Sequence, residues 1–222
     1  MATKTKKLEI DEKHEITLIS YAAGAKPRAR FVLAHGAGAD QNHRFMVLFA
    51  EGLAERGVET TTFNFVYTEN KKRAPDKAPL LESTYRAVVE AIGAPVFIGG
   101  KSMGGRIASQ IAANGTDVLG LIFLGYPLHP PGKPEQLRVA HWPKITAPIL
   151  FVQGERDAFG SPDEILAQTK ALKAKFLMYP VPGGDHSLGV GKKALALAGL
   201  TQEKVYSGAM DAIAAFIFKN AK

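Results

Sequence analysis

A glycine-flanked corner constrains this chain more than any other stretch. Gly100-Lys101-Ser102-Met103-Gly104 is preceded by Ala94-Pro95-Val96-Phe97-Ile98-Gly99, a short apolar run started by a proline. It is followed by good helix formers from Met103 towards Asn114 and Gly115, with Ile107 and Ile111 one turn apart. The first run reads as a buried strand and the second as a helix. A strand that turns directly into a helix leaves no room for side chains beside the corner residue. Glycines on either side let the two elements pack, and the residue between them is pushed outward. The backbone strain at such a corner, about 1–3 kcal/mol, is tolerated where strand and helix over-determine it. Ser102 is therefore a candidate nucleophile. The pentapeptide alone says little in a chain with 22 glycines among 222 residues, so the surroundings must decide its meaning.

Those surroundings alternate between strand and helix. Residues 8 to 21, with Ile16 and Leu18 inward and Glu15 and Thr17 outward, suggest an antiparallel edge strand or hairpin, and residues 24–28 turn the chain. Arg30-Phe31-Val32-Leu33-Ala34 is an apolar strand ending in the loop His35-Gly36-Ala37-Gly38. A helix is predicted over about 42–56, carrying Phe45, Leu48, Phe49 and Leu53 on one face, followed by a β-branched and aromatic strand at 60–65. The polar, proline-bearing stretch 67–79 reads as a long surface loop, and a helix follows from near Leu81 to Ile92. Further strands are predicted at 118–124, 148–152 and 175–179. Ser161, Pro162 and Glu164 compose a capping box, and a last helix over about 201–219 aligns Ala209, Ile213, Phe216 and Ile217. This order predicts an α/β fold in one domain over residues 1–222: a mostly parallel central sheet with helices on both faces. Sites in such sheets lie at the carboxyl ends of the strands, where the unusual loops gather.

Composition narrows the chemistry. With no cysteine there is no thiolate nucleophile, disulfide or cysteine-ligated zinc, and nothing in the chain calls for a metal or cofactor. The lysine-rich start lacks an apolar leader and no segment could span a membrane, so a cytoplasmic protein without a membrane partner is expected. The net charge of +7 is spread along the chain, and its densest run, Lys71-Lys72-Arg73, lies beside Pro75 and Pro79 in a solvated loop. A nucleic-acid partner is not expected.

A serine hydroxyl needs a base within hydrogen-bond reach, and the base needs an acid to hold its ring in the right tautomer. Gln153-Gly154-Glu155-Arg156-Asp157 follows the strand ending at Val152, and Pro182-Gly183-Gly184-Asp185-His186-Ser187 follows the strand near Tyr179. The candidate base is His186, in a glycine-rich loop able to carry an imidazole over the sheet edge. The other histidines read as structural: His14 on the surface, His35 shaping its glycine loop, and His43, His129 and His141 in loops or at a helix start. Asp157 is the candidate acid, since Asp185 adjoins His186 and Glu155 lies too near its strand end. Stabilising a tetrahedral oxyanion requires donors, for which the backbone N–H of Met103 is one candidate. The N–H of Ala37 is the other, with Gly36 as its alternative.

The order Ser102, Asp157, His186 and several stretches carry a family resemblance. These are His35-Gly36-Ala37-Gly38-Ala39-Asp40-Gln41-Asn42, Gly99 through Arg106, Tyr126-Pro127-Leu128-His129-Pro130 and Asp185-His186-Ser187. The chain resembles a small single-domain α/β-hydrolase of a lidless branch. That branch is similar to dienelactone-hydrolase-like proteins and to a eukaryotic group containing a testis-expressed hydrolase-like protein and a subunit of a histone-acetyltransferase complex. The resemblance implies a serine hydrolase acting on small acyl esters or thioesters through an acyl-enzyme on Ser102. Dienelactone hydrolases proper use a cysteine where Ser102 stands, which argues against lactones. Only Tyr126 to Ala147 could hold a cap, so little or no cap is expected and the site should be open. Lys101 and Arg106 read either as a preference for anionic substrates or as solvated surface. The alternative from another class is a non-catalytic binding or scaffold protein that keeps the fold; the presence of Ser102, Asp157 and His186 together argues against it.

Overall fold

Strands that are apolar on both faces can only sit between two layers, and that requirement sets the architecture. A computed structural model describes residues 2–24 and 26–221. The chain runs β1 (Thr3–Asp11), β2 (His14–Tyr21), β3 (Ala29–Ala34), α1 (Arg44–Glu55), β4 (Val58–Phe63), α2 (Val66–Glu69), α3 (Ala78–Ile92), β5 (Phe97–Lys101), α4 (Met103–Ala113), β6 (Gly120–Leu124), β7 (Ile149–Gly154), α5 (Pro162–Gln168), β8 (Phe176–Val181), α6 (Lys192–Ala198) and α7 (Gln202–Asn220). The strands form one 8-stranded sheet in the order β1-β2-β4-β3-β5-β6-β7-β8. β1 pairs with β2, and β2 with β4, antiparallel; from β4 to β8 every pairing is parallel. This is the mostly parallel sheet, covered on both faces, that the sequence predicts.

Side-chain alternation divides the core in two. Val32 and Ala34 of β3 and Ile149 and Phe151 of β7 point to a layer containing Tyr85 and Val88 of α3 and Ile107 and Ile111 of α4. Phe31, Leu33, Leu150 and Val152 point the other way, onto Phe49 and Leu53 of α1 and Ile213 and Phe216 of α7. Fully burying side chains of this size contributes about 1.5–3 kcal/mol each. Local chemistry agrees with the packing. Ser161 and Glu164 make the expected capping box at the start of α5, and Thr201 caps α7 by accepting from the Lys204 N–H.

The structure departs from the sequence expectations in three places. The edge hairpin begins at Thr3, because the lysine-rich start alternates in register with β2. The stretch 67–79 is not a surface loop throughout. Its first residues lie in α2, with Tyr67 buried beside Phe65 and Val66, and Pro79 lies in the first turn of α3, where a missing N–H costs nothing. α6 has no counterpart in the sequence expectations; it buries none of its residues, so it has no apolar stripe to betray it. The predicted turn at 24–28 includes residue 25, which lies outside the described residues. Between β6 and β7, Tyr126 to Ala147 contains only a short 3-10 helix at Trp142–Lys144, so no helical cap covers the sheet edge. Among the described residues no helix is long and apolar enough to cross a membrane.

Candidate active site

Ser102 stands between β5 and α4 with φ 50° and ψ −116°, a positive-φ conformation unusual for a residue with a side chain. The glycines around it are there for close approach. A Cβ on Gly100 would stand 2.5 Å from the Ala34 carbonyl oxygen; one on Gly104 would meet the same oxygen at 2.5 Å and the His35 carbonyl oxygen at 2.7 Å. The corner is thus pressed against the end of β3 and the loop that follows it.

Three strand ends bring their side chains together. Ser102 Oγ lies 2.8 Å from His186 Nε2, and His186 Nδ1 lies 2.9 and 2.8 Å from Asp157 Oδ1 and Oδ2. A carboxylate can only accept, so Nδ1 carries the proton and donates it to Asp157. Nε2 is left with a lone pair to accept the Ser102 hydroxyl proton. The Asp157 carboxylate is fully buried and has further donors: Gln153 Nε2 at 2.8 Å to Oδ2 and the Phe159 N–H at 2.8 Å to Oδ1. The Phe159 ring covers the imidazole, its centroid 4.2 Å from that of His186 at an interplanar angle of 30°.

The loop after β3 is shaped by its own histidine. His35, fully buried, accepts the Phe65 N–H on Nε2 at 3.2 Å and donates from Nδ1 to the Gly36 carbonyl at 2.8 Å. Burial pushes its pKa down to about 4, so the ring is neutral at pH 7. Among the described residues the Ala37 N–H has no acceptor, and the Met103 N–H opens α4, where no preceding carbonyl is in place to accept it. Both residues border, with Ser102 and His186, one cleft of about 960 Å3.

The order of elements and the corner they build match a known family: a model of the alpha/beta hydrolase domain fits residues 27–218. The chain belongs to the alpha/beta hydrolase domain family. Among solved structures, this α/β-hydrolase is similar to an alpha-beta serine hydrolase homologue from Coxiella burnetii, with 16% identity, 99% of this chain and 98% of that chain covered and a TM-score of 0.72. It is similar to the dienelactone hydrolase from Anabaena variabilis at 16% identity, with 93% and 95% covered and a TM-score of 0.68. It is also similar to XC6422 from Xanthomonas campestris, described as an a/b serine hydrolase without lid, at 15% identity, with 95% and 92% covered and a TM-score of 0.66. At these identities the likeness is one of fold.

In this α/β-hydrolase the other sequence candidates are engaged elsewhere. Glu155 accepts the Gly183 N–H, and Asp185 accepts the N–H groups of Ser187 and Gly189, so it ties its own loop and does not reach the imidazole of its neighbour. His14 pairs with Asp11, His43 caps α1, His129 faces Glu164 at 3.4 Å, and His141 Nε2 meets Ser109 Oγ at 2.7 Å. Sequence reasoning missed Gln153, a fully buried amide whose Oε1 accepts the Tyr126 N–H at 2.7 Å and whose Nε2 also reaches the Gly160 carbonyl at 2.7 Å. A glutamine inside an otherwise apolar strand was its one signal. Lys101 is not solvated: it is 9% exposed, and its Nζ finds no hydrogen-bond partner among the described residues. Burial pushes its ammonium down to about 8, against the opposing pull of Asp157 and Asp185.

Proposed function

We propose that this α/β-hydrolase is a serine hydrolase that cleaves small acyl esters or thioesters through an acyl-enzyme on Ser102. The observation that carries the reading is the relay in which Asp157 holds the Nδ1–H of His186 and leaves Nε2 2.8 Å from the Ser102 hydroxyl. His186 takes the Ser102 proton as Oγ attacks the substrate carbonyl, and Asp157 stabilises the imidazolium that forms. The N–H groups of Ala37 and Met103 receive the developing oxyanion; a single such donor contributes about 2.7–4 kcal/mol of transition-state stabilisation. The imidazolium then protonates the leaving alcohol or thiol, and a water activated by the same nitrogen releases the acid. The uncapped edge between β6 and β7 suits small substrates that enter from solvent. Kinship with the testis-expressed and acetyltransferase-complex group rests on the shared stretches around Ala37, Ser102, Pro127 and His186.

The test is covalent labelling with a fluorophosphonate probe together with hydrolysis of short p-nitrophenyl esters. Wild type should label and turn over, and Ser102→Ala should do neither. Identical behaviour of the two proteins would remove the enzymatic reading and favour a scaffold role.

A further inference from the structure

Four cations that the relay does not use border the cleft beside Ser102; Lys101 is buried and Arg44 exposed, and the remaining two, Arg106 and Arg138, are the ones partly buried at its wall. Arg106 is on α4, one turn beyond the serine, and Arg138 is on the segment between β6 and β7; both line the cleft with Ser102 and both are only partly exposed. Among the described residues neither guanidinium is in an ion pair; the pairs formed are Lys7 with Glu15 and Glu69, His14 with Asp11, Arg56 with Asp211, Arg86 with Glu82, His129 with Glu164 and His186 with Asp157. Arg106 keeps only a long contact of 3.5 Å to Gln110 Oε1. Glu82, the carboxylate whose field reaches Arg106, already holds Arg86 and Asn114 at 3.4 and 3.3 Å. Burial, and then the charge of Arg138, push the Arg106 guanidinium below its ordinary value, so each arginine feels the other as a like charge. His141 beside them is held down to about 4 by burial and by Arg106, so it is neutral at pH 7 and adds no repulsion there.

Two partly buried like charges without a counter-ion destabilise a fold unless something else is gained. The backbone that carries Arg138 is held in place. The Arg138 N–H donates to the Leu128 carbonyl at 2.8 Å, and its carbonyl accepts from the Tyr126 hydroxyl at 2.9 Å. That hydroxyl in turn accepts from the Trp142 indole N–H at 3.1 Å. Forked donors that border one cleft and have no carboxylate partner form a receptor for a planar or tetrahedral oxyanion.

We infer that Arg106 and Arg138 form an anion subsite, and that the substrate class of this hydrolase is an ester or thioester whose acyl part carries a carboxylate or phosphoryl group. The inference rests on the serine-hydrolase reading for the ester and on the arginine pair alone for the anion. The rise of a helix, 1.5 Å per residue, places Arg106 on the order of 6 Å along α4 from Ser102. That separation of backbone positions sets the scale of the probes, acyl chains of a few carbons between the scissile carbonyl and the anion.

The experiment has a binding arm and a kinetic arm. In the first, Ser102→Ala protein is titrated calorimetrically with glutarate, with 3-phosphonopropionate and with the neutral valeramide. Binding of at least one anion and not of the amide is expected, weakened by about tenfold or more when Arg106→Gln and Arg138→Gln are added, and weakened likewise by about 0.5 M sodium chloride. In the second, wild-type kcat/KM is compared for ethyl valerate, monoethyl glutarate and ethyl 4-phosphonobutyrate. The anionic esters should exceed the neutral one, with the advantage residing in KM, and the ratio should collapse in the double variant and be partly restored by Arg106→Lys with Arg138→Lys. Which anion wins separates a carboxylate from a phosphoryl substrate. Anion binding without ester turnover would overturn the hydrolase reading and keep the subsite. Turnover of ethyl valerate with no anion preference, together with anion binding that is absent or indifferent to the arginines, would overturn the subsite and keep the hydrolase.

Discussion

Gln153 holds Asp157 from behind. Its Nε2 donates at 2.8 Å to Asp157 Oδ2 while its Oε1 accepts the Tyr126 N–H at 2.7 Å, so one buried amide ties the end of β7 both to the acid and to the segment that leaves β6. The proposed relay is therefore rigid at the end farthest from solvent, where rotation of the carboxylate would turn the imidazole away from Ser102.

Removing that amide should cost both stability and rate. Gln153→Ala strands the buried Tyr126 N–H and deprives Asp157 of a donor, and each buried group left unsatisfied costs about 1–3 kcal/mol. Urea unfolding should show a fall in that range, with kcat for a neutral ester reduced and KM little changed. A variant as stable and as active as wild type would show that the amide is incidental.

Asp157→Asn tests the tautomer argument. An asparagine amide can donate to Nδ1, which moves the imidazole proton to Nε2 and leaves the Ser102 hydroxyl without an acceptor. A fall in kcat of about 10^4-fold is expected, with the fold retained by circular dichroism. A modest loss would mean that the carboxylate has little part in the chemistry.

Gly104→Ala addresses the corner. The added Cβ would meet two backbone oxygens, those of Ala34 and His35, at 2.5 and 2.7 Å, and neither can rotate away. Overpacking of this kind costs about 1–3 kcal/mol and more where backbone must move. Turnover should be lost even in molecules that fold, since the displaced loop is the one that bears Ala37. Denaturation and labelling by the fluorophosphonate probe, read on the same sample, separate the two effects.

Lys101 gives stability an unusual rise with pH. Its ammonium titrates near 8 in the folded protein against 10.5 for a lysine free in water, so between those values the unfolded chain binds more protons and stability rises with pH. Below 8 the lysine is charged in both states and the full burial penalty applies, about 3 kcal/mol as an upper figure. Lys101→Met removes it. The variant should be more stable than wild type at pH 7, and the difference should shrink as pH approaches 10.5. A difference that stays constant with pH would count against this account.

His35 has a consequence of the same sign on the acid side. The buried ring titrates near 4, whereas an unfolded histidine protonates near 6.5, so stability contributed by the neutral ring is lost as pH falls from 6.5 towards 4. His35→Gln should flatten the stability profile over that interval by the slope of about one proton. Chemical denaturation at closely spaced pH values measures it.

Much of this molecule is legible in its sequence because the informative signals are local. The corner at Ser102 is announced by a proline-started apolar run, flanking glycines and the spacing of Ile107 and Ile111; Asp157 and His186 are each marked by following a strand. What escaped depends on distant partners. Gln153 is defined by Tyr126 and Gly160, and the burial of Tyr67 by its neighbours Phe65 and His35, against which its ring lies at 6.5 and 5.9 Å. The charge of Lys101 reads as surface in any one-dimensional pattern. Only the fold reveals that its tip lies within the protein, and only the fold turns Arg106 and Arg138, 32 positions apart by their residue numbers, into a pair.

β8 is the outermost strand on its side of the sheet, hydrogen-bonded to β7 alone, and His186 comes from the loop that leaves it. Ser102, by contrast, follows β5, which is clamped between β3 and β6. The nucleophile is therefore anchored at the centre of the sheet and its base beside an edge strand, which has a neighbour on one side only. In mild denaturant, or under a pull on the carboxyl-terminal helix, the imidazole should retreat while the remaining strands stay paired. Turnover would then report the docking of the last strand, and not the survival of the fold.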